Sequence, residues 1–296
     1  MKNEKNLFYI LLFIAMVGWG ASWVNAKVLT RYIDAFEMIF FRFFATALTM
    51  IPIILVLKKS FRIDLKSFFI VSLSSIVLIA YMRYFFLGTK YGTASLGGAL
   101  VTTLVPINTF IILIILGKRE LTKKDIVALI IGAIGVMSML NVWKFDLKEV
   151  LVIQNLYFIL ASLLWPILTI ISAKATKISP IVFTFYLYIV TVFLDALLFV
   201  NFKSIDFSSF DTLFWINIAS IVLISTTYAN TIYFLGIEKL GAAGVSSFIF
   251  FVPFSAILLS AIFLKEHITL SIVVGTILTI IAVKIINNIK IGFKKV

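Results

Sequence analysis

The chain alternates long apolar runs with short polar gaps. Runs of about twenty residues cover 7–28, 33–57, 67–87, 91–116, 124–142, 151–173, 180–200, 212–234, 240–264 and 269–288. That length is what a helix needs to cross the hydrocarbon core of a bilayer. The gaps are punctuated by charge and proline, and the narrowest fall at Lys90 and at Glu238-Lys239. The pattern predicts an all-α polytopic membrane protein with ten transmembrane helices.

Composition strengthens this picture. The sequence is 62% hydrophobic and 13% charged, whereas a soluble domain is nearer half apolar. The formal net charge of +13 would ordinarily raise nucleic acid as a partner. Here the charges are scattered through short gaps and build no basic domain, so the expected partners are membrane lipid and a small-molecule substrate. Cysteine is absent, which removes disulfide and thiol chemistry. A lone histidine, His267, leaves no ordinary zinc cluster, and neither a metal nor a cofactor is expected. The first run follows lysines, as a signal peptide does. It continues past the usual length without a small-x-small cleavage site and reads as a retained helix.

Lysine and arginine set the orientation. With the N-terminus in the cytoplasm, 16 of the 26 basic residues fall on the cytoplasmic side and 7 on the other; Arg42, Arg83 and Lys284 lie within spans. An even number of spans puts both termini on one side, in agreement with this bias. The expectation is a multi-pass protein of a prokaryotic cytoplasmic membrane.

The two halves resemble each other. "ASLGGALVTTLVPINTFIILIILGKRELT" (94–122) aligns with "GAAGVSSFIFFVPFSAILLSAIFLKEHIT" (241–269), pairing Pro106 with Pro253 and Thr122 with Thr269. Upstream, "FFLGTKYG" (85–92) matches "YFLGIEKLG" (233–241) with one residue inserted. The repeat is five spans, giving domains 1–147 and 148–296. Five is odd, so the second copy enters from the opposite side: two inverted five-helix repeats about a pseudo-two-fold axis in the membrane plane. Alternating access follows naturally from two such halves. Small residues at 92–98 and 241–244 allow close helix approach. Pro106 and Pro253 are expected to kink their helices, either lining a cavity or as static bends.

Polar groups inside the spans are the candidates for function, because charge deep in hydrocarbon costs several kcal/mol. Arg42, in "EMIFFRFF", lies well inside span 2. It either offers a bidentate fork to a carboxylate or phosphate or pairs with Glu37. Lys27 and Arg83 fall in the same outer half, and Lys27 is a second possible partner for Glu37. Asn25 sits near the outer end of span 1. In "STTYANTIYF", Thr227, Asn230 and Tyr233 are spaced three apart and predict one cavity-lining face. Tyr81 and Tyr84 form a comparable pair. Trp19, Trp23 and Trp165 either surround an organic ligand or fill the bundle. Asp195 is the acidic residue well inside the second half. Like Glu37, it is a candidate for proton coupling, or it is wetted from outside. Glu266 and His267 are expected to stay hydrated in the loop between spans 9 and 10.

With those residues in place, the sequence resembles the drug/metabolite transporter superfamily, and within it the EamA-domain exporters. The resemblance covers both halves and rests on "GWGASWVNAK" (18–27), Arg42, "YGTASLGGALVTTLVP" (91–106), "LGKRELT" (116–122), "YANTIYFLGIEKLGAAGVSSFIFFVP" (228–253) and "FLKEHIT" (263–269). It implies ten helices, cytoplasmic termini, a central cavity between the halves and transport of small organic solutes, commonly amino acids or related metabolites and often outward. The family's usual "GE" after the span-4 proline here reads Gly117-Lys118-Arg119-Glu120, and in the second copy Leu264-Lys265-Glu266.

The leading expectation is an alternating-access secondary transporter exporting an amino acid or related metabolite. The alternative is an exporter of drug-like or nucleotide-derived metabolites. A membrane-embedded enzyme is disfavoured, because no clustered His, Asp or Ser constellation lies near one interface. A single chain holds its own cavity, so a monomer suffices.

Overall fold

The computed structural model describes residues 2–118, 120–140, 151–175, 177–233, 235 and 247–286. Its helices are α1 (Lys2–Leu29), α2 (Ala35–Val56), α3 (Leu65–Tyr91), α4 (Ala94–Ile115), α5 (Lys123–Met139), α6 (Ile153–Ser172), α7 (Pro180–Leu198), α8 (Thr212–Tyr233), α9 (Phe251–Leu264) and α10 (Leu270–Ile286). There is no strand among the described residues. Seven helices (α1–α4 and α6–α8) are long and apolar enough to cross a membrane, and α9 and α10 are shorter apolar helices. The protein is a multi-pass helical membrane protein.

Local chemistry fixes the helix starts. Asp64 accepts from the Ser67 amide at the head of α3, and Thr93 accepts from the Leu96 amide at the head of α4. Thr122 and Asp125 form a reciprocal capping box on α5, and Pro180 occupies the first turn of α7. Each device satisfies donors that the first helical turn leaves open or, for proline, removes one. The expected break at Lys90 falls slightly later: α3 continues to Tyr91, and Gly92-Thr93 makes the turn into α4. The expected break at Glu238-Lys239, the first part of the span expected over 240–264, and the domain boundary at 147/148 lie outside the described residues.

The packing has a regular pattern. Helix α3 packs on α6 and α7, and α4 packs on α6. Five helices further along, α8 packs on α1 and α2, and α9 packs on α1. The remaining large interfaces are α2 with α7, α4 with α9, α5 with α10, and α4 with α10. Advancing every label by five converts the first set into the second and leaves α2–α7, α4–α9 and α5–α10 unchanged; α4–α10 breaks the pattern.

Glycines make these approaches possible. A Cβ at Gly88 or Gly97 would lie 2.6 Å from the Phe158 ring, so both glycines form the seat into which α6 presses that side chain. A Cβ at Gly98 would collide with the Ala256 methyl, and one at Gly20 would lie 2.5 Å from Ser255 Cβ. Helices α1 and α4 therefore meet α9 almost backbone to backbone. In lipid such contact replaces the hydrophobic drive that water supplies elsewhere.

Candidate functional site

Helix α2 buries Met38, Ile39, Arg42, Phe43, Thr46, Ala47, Met50 and Ile54, a stripe at three- and four-residue spacing. Arg42 belongs to this inward face and is 7% exposed. Its Nε donates to Thr226 Oγ1 at 3.1 Å, and its Nη1 lies 3.7 Å from Met82 Sδ. The guanidinium stands over the Phe43 ring at 5.6 Å, and Phe43 stacks on Tyr188 at 4.6 Å. Tyr81 and Tyr188 are the ionisable groups nearest to it. Among the described residues no carboxylate comes within ion-pair distance of Arg42. Guanidinium cannot shed its charge, so α2 holds a buried cation whose donors are only partly used.

Helix α8 supplies the opposite wall. From Ser220 to Tyr228 its turns widen into a π-helix, a form that recurs at functional sites. Thr226 Oγ1 donates to Ile221 O at 2.7 Å, five residues back, while accepting from Arg42. Asn25 Nδ2 donates to Ser220 Oγ at 2.9 Å, and Ser225 Oγ donates to Gly18 O at 2.6 Å, so α1 is tied to the same segment. Thr49 and Thr227 share a hydrogen bond of 2.6 Å. One turn on, Asn230 Oδ1 accepts from Trp19 Nε1 at 3.0 Å while its Nδ2 donates to Tyr188 OH at 2.6 Å. Trp19 also packs on Tyr233 at 5.1 Å. At the head of α8, Asp211 accepts from the Phe214 amide and from Tyr32 OH, both at 2.9 Å. Those donors hold its carboxyl below the usual carboxylate range, the Phe214 amide contributing most.

The structure thus brings Trp19, Asn25, Arg42, Thr227, Asn230 and Tyr233 onto facing surfaces of α1, α2 and α8. Tyr81 packs on Trp165 at 4.8 Å, which extends the aromatic wall toward α6. Trp23, 2% exposed, packs between Phe85 and Phe158 as core. Tyr84 stacks on Tyr157 at 5.9 Å.

Several expected relationships are absent. Glu37 makes no ion pair with Arg42 or Lys27. Five residues along a helix turn a side chain well away from its starting face, and Glu37 lines a cavity of about 170 Å³ with Asp34 and Lys90 instead. Its Oε2 has no hydrogen-bond partner. Asp195 is not wetted from outside: it is fully buried, and among the described residues neither of its oxygens has a hydrogen-bond partner. Arg83 lies on an exposed face of α3 with its guanidinium 5.1 Å from the Phe36 ring, so it is no neighbour of Arg42. Lys27 Nζ donates to Lys90 O at 2.9 Å and Gly92 O at 2.6 Å, the carbonyls at the end of α3. Glu266 is not simply hydrated. Its Oε1 and Oε2 accept from the amides of Ala94 (2.8 Å) and Ser95 (2.9 Å), capping α4 from the α9–α10 loop. Pro106 lies within α4 and Pro253 within α9.

Tyr188, Thr226 and the Asn108–Ser162 bond between α4 and α6 (3.0 Å) were not singled out from sequence. Thr226 stood in the recognised polar stripe, but three-residue spacing favoured its neighbour Thr227. Tyr188 sits in "FYLYIV" with nothing local to distinguish it. Among the described residues no three His, Cys, Asp or Glu side chains gather as a metal site.

The chain matches the EamA-like transporter family over residues 6–141 and again over 152–288. It is 24% identical over 285 residues to the uncharacterized transporter YyaM of Bacillus subtilis (strain 168), covering 93% of this chain and 92% of that one. It is 28% identical over 185 residues to a protein of Rickettsia bellii (strain RML369-C) named as an S-adenosylmethionine uptake transporter, with 60% of each chain covered. A protein of known crystal structure superposes with a TM-score of 0.62 at 15% identity, covering 95% of this chain and 96% of that chain. At that identity the likeness is one of fold.

Proposed function

The chain belongs to the EamA-like transporter family, and from that premise we propose that it is an alternating-access secondary transporter for a small carboxylate-bearing solute, an amino acid or related metabolite, working as an exporter in the cytoplasmic membrane. In this reading ten spans form two inverted five-helix repeats, residues 1–147 and 148–296, with both termini in the cytoplasm. Two observations support the repeat: the family matches this chain twice, and the large helix contacts other than α4–α10 map onto one another when labels advance by five.

Arg42 carries the substrate assignment. A buried cation without an anion is unstable on its own, and a solute carboxylate is the partner its planar fork fits. Thr226 orients the guanidinium, and Trp19, Tyr81, Trp165, Tyr188 and Tyr233 supply apolar surface with polar tips for the rest of the solute. Asn230 holds Trp19 and Tyr188 in register. Glu37 and Asp195 are the groups available for proton coupling.

The test is counterflow in proteoliposomes with purified protein and a labelled amino-acid panel, empty liposomes serving as control. Saturable exchange of at least one amino acid is expected, lost in Arg42→Ala. Folded protein that exchanges none of the panel would sink the amino-acid assignment.

The alternative, a nucleotide-derived metabolite, draws on the Rickettsia bellii relative named as an S-adenosylmethionine uptake transporter. S-adenosylmethionine carries an amino-acid head as well as a nucleoside, so the carboxylate hook serves either solute and the aromatic wall decides between them. It belongs in the same panel.

A further inference from the structure

A cavity of about 410 Å³ opens at the end of the bundle where α1 gives way to α2, walled by Lys27, Arg31, Tyr91, Gly92, Gln154 and Glu266 among others. Its size is that of a small-molecule site. Its charge is unbalanced, two cations standing against one carboxylate. Glu266 is the carboxylate on the wall, but both its oxygens are committed to the Ala94 and Ser95 amides. Its negative charge is answered by the positive end of α4.

Lys27 is placed just as firmly. Two of its three ammonium donors are held by Lys90 O and Gly92 O at the negative end of α3, leaving the third unassigned. Arg31 follows one turn later, is exposed, and has no side-chain hydrogen bond or ion pair among the described residues. Of the other charges near this end, Lys90 pairs with Asp34 at 2.7 Å, and Glu37 lines the adjoining cavity, which Arg31 also borders. Two cations, one fixed and one free, therefore face the cavity against the single carboxylate of Glu266.

We propose that this cavity is an outer vestibule that holds the solute's carboxylate as it passes between Arg42 and the outside, with Lys27 as the fixed donor and Arg31 as the mobile one. The inference rests on the carboxylate-solute reading and extends it from the buried Arg42 to the mouth of the path. An excess of positive charge on a concave wall raises the local concentration of anions, so the vestibule would favour anionic over cationic solutes at the outer mouth of the path.

The chain has no cysteine, so Gln154→Cys places a single thiol on the cavity wall. Its reaction rates in proteoliposomes are measured with an anionic sulfonate-bearing and a cationic trimethylammonium-bearing methanethiosulfonate. Each rate is normalised to that reagent's rate on a free thiol. The anionic reagent is expected to be favoured, and adding Arg31→Gln should lower the preference roughly threefold in dilute salt. Lys27→Gln should lower it too, but Arg31→Gln is the decisive variant because it breaks no bond described here. Equal rates for the two reagents, or a preference indifferent to Arg31, would overturn the proposal. This readout requires no transport, so it stands or falls separately from the amino-acid panel.

Discussion

Arg42 on α2 points its Nε at Thr226 Oγ1 on α8, 3.1 Å away, and the same hydroxyl donates to Ile221 O five residues back. The widened turns of α8 thus let one threonine serve both its own backbone and a cation on another helix. A buried ion with an incomplete set of partners is expensive to keep, and replacing it by an apolar side chain of similar length is often neutral or stabilising. Arg42→Met is therefore expected to unfold at the same temperature as the parent or higher, while carboxylate exchange falls at least about a hundredfold, the scale of losing a charged anchor of about 3 kcal/mol. Thermal unfolding in detergent and counterflow on the same preparation check both halves. Joint loss of stability and transport would make Arg42 a structural residue.

Asn230 joins two aromatic residues from different helices. Its removal in Asn230→Ala leaves Trp19 Nε1 and Tyr188 OH without their partners, at a cost of about 2–4 kcal/mol. Tyr188→Phe deletes one hydroxyl and leaves an Asn230 N–H without its acceptor, costing about 1–2 kcal/mol. The double variant should cost less than the sum of the two, which denaturant unfolding of all three measures directly.

Glu266 reaches across the bundle to cap α4. Glu266→Ala should expose the Ala94 and Ser95 amides, and hydrogen–deuterium exchange over residues 93–98 should speed up about tenfold, the equivalent of about 1.4 kcal/mol. Glu266→Gln retains one acceptor but loses the charge that complements the helix end, and should fall between the two. Unchanged exchange in Glu266→Ala would show the cap to be dispensable.

Helices α5 and α10 meet glycine to glycine. A Cβ on Gly275 would lie 2.5 Å from Gly135 O, and one on Gly135 would lie 2.7 Å from Thr279 Cγ2. Gly275→Ala is expected to destabilise by about 1–3 kcal/mol, the usual penalty of overpacking. Gly132→Ala meets the flexible Ile107 side-chain end at 3.0 Å and the Ala282 methyl at an ordinary 3.4 Å and should cost less. Comparing the two unfolding temperatures checks the ordering.

The carboxyl of Asp211 titrates below its ordinary value because its charged form accepts from Phe214 N and Tyr32 OH. A lowered folded value means the contribution is present above the unfolded value of 3.8 and fades as pH falls through the folded one. Helix α8 should therefore fray at its start only in strong acid. Asp211→Asn should remove that pH dependence, as read by amide exchange at Phe214.

The sequence carried the helices well and their neighbours poorly. Span lengths follow from bilayer thickness, and the structure's seven long apolar helices coincide with seven of the expected runs to within a few residues. The side of a helix on which a charge emerges is another matter. Arg42 and Arg83 look alike in sequence, each set among aromatic residues, yet one faces the interior and the other an exposed surface. An all-apolar helix gives periodicity no polar face to register against. Spacing rules also assume 3.6 residues per turn. In the π segment of α8 that assumption fails, which is why Thr226 rather than Thr227 meets Arg42. Glu266 could not be assigned its partners because they are backbone amides 171 and 172 residues away in sequence, with no side-chain signature to search for.

The glycine contact between α5 and α10 also has a consequence for how the protein is made. Helix α5 leaves the ribosome early, and the helix it packs against most extensively is the last one described. At about 5–20 residues per second, on the order of ten seconds separate the synthesis of Gly135 from that of Gly275. Throughout that interval the glycine face of α5 lacks its α10 partner. A truncated chain that stops before α10 should therefore be recognised as unfinished, because it leaves open the glycine surface against which α10 packs.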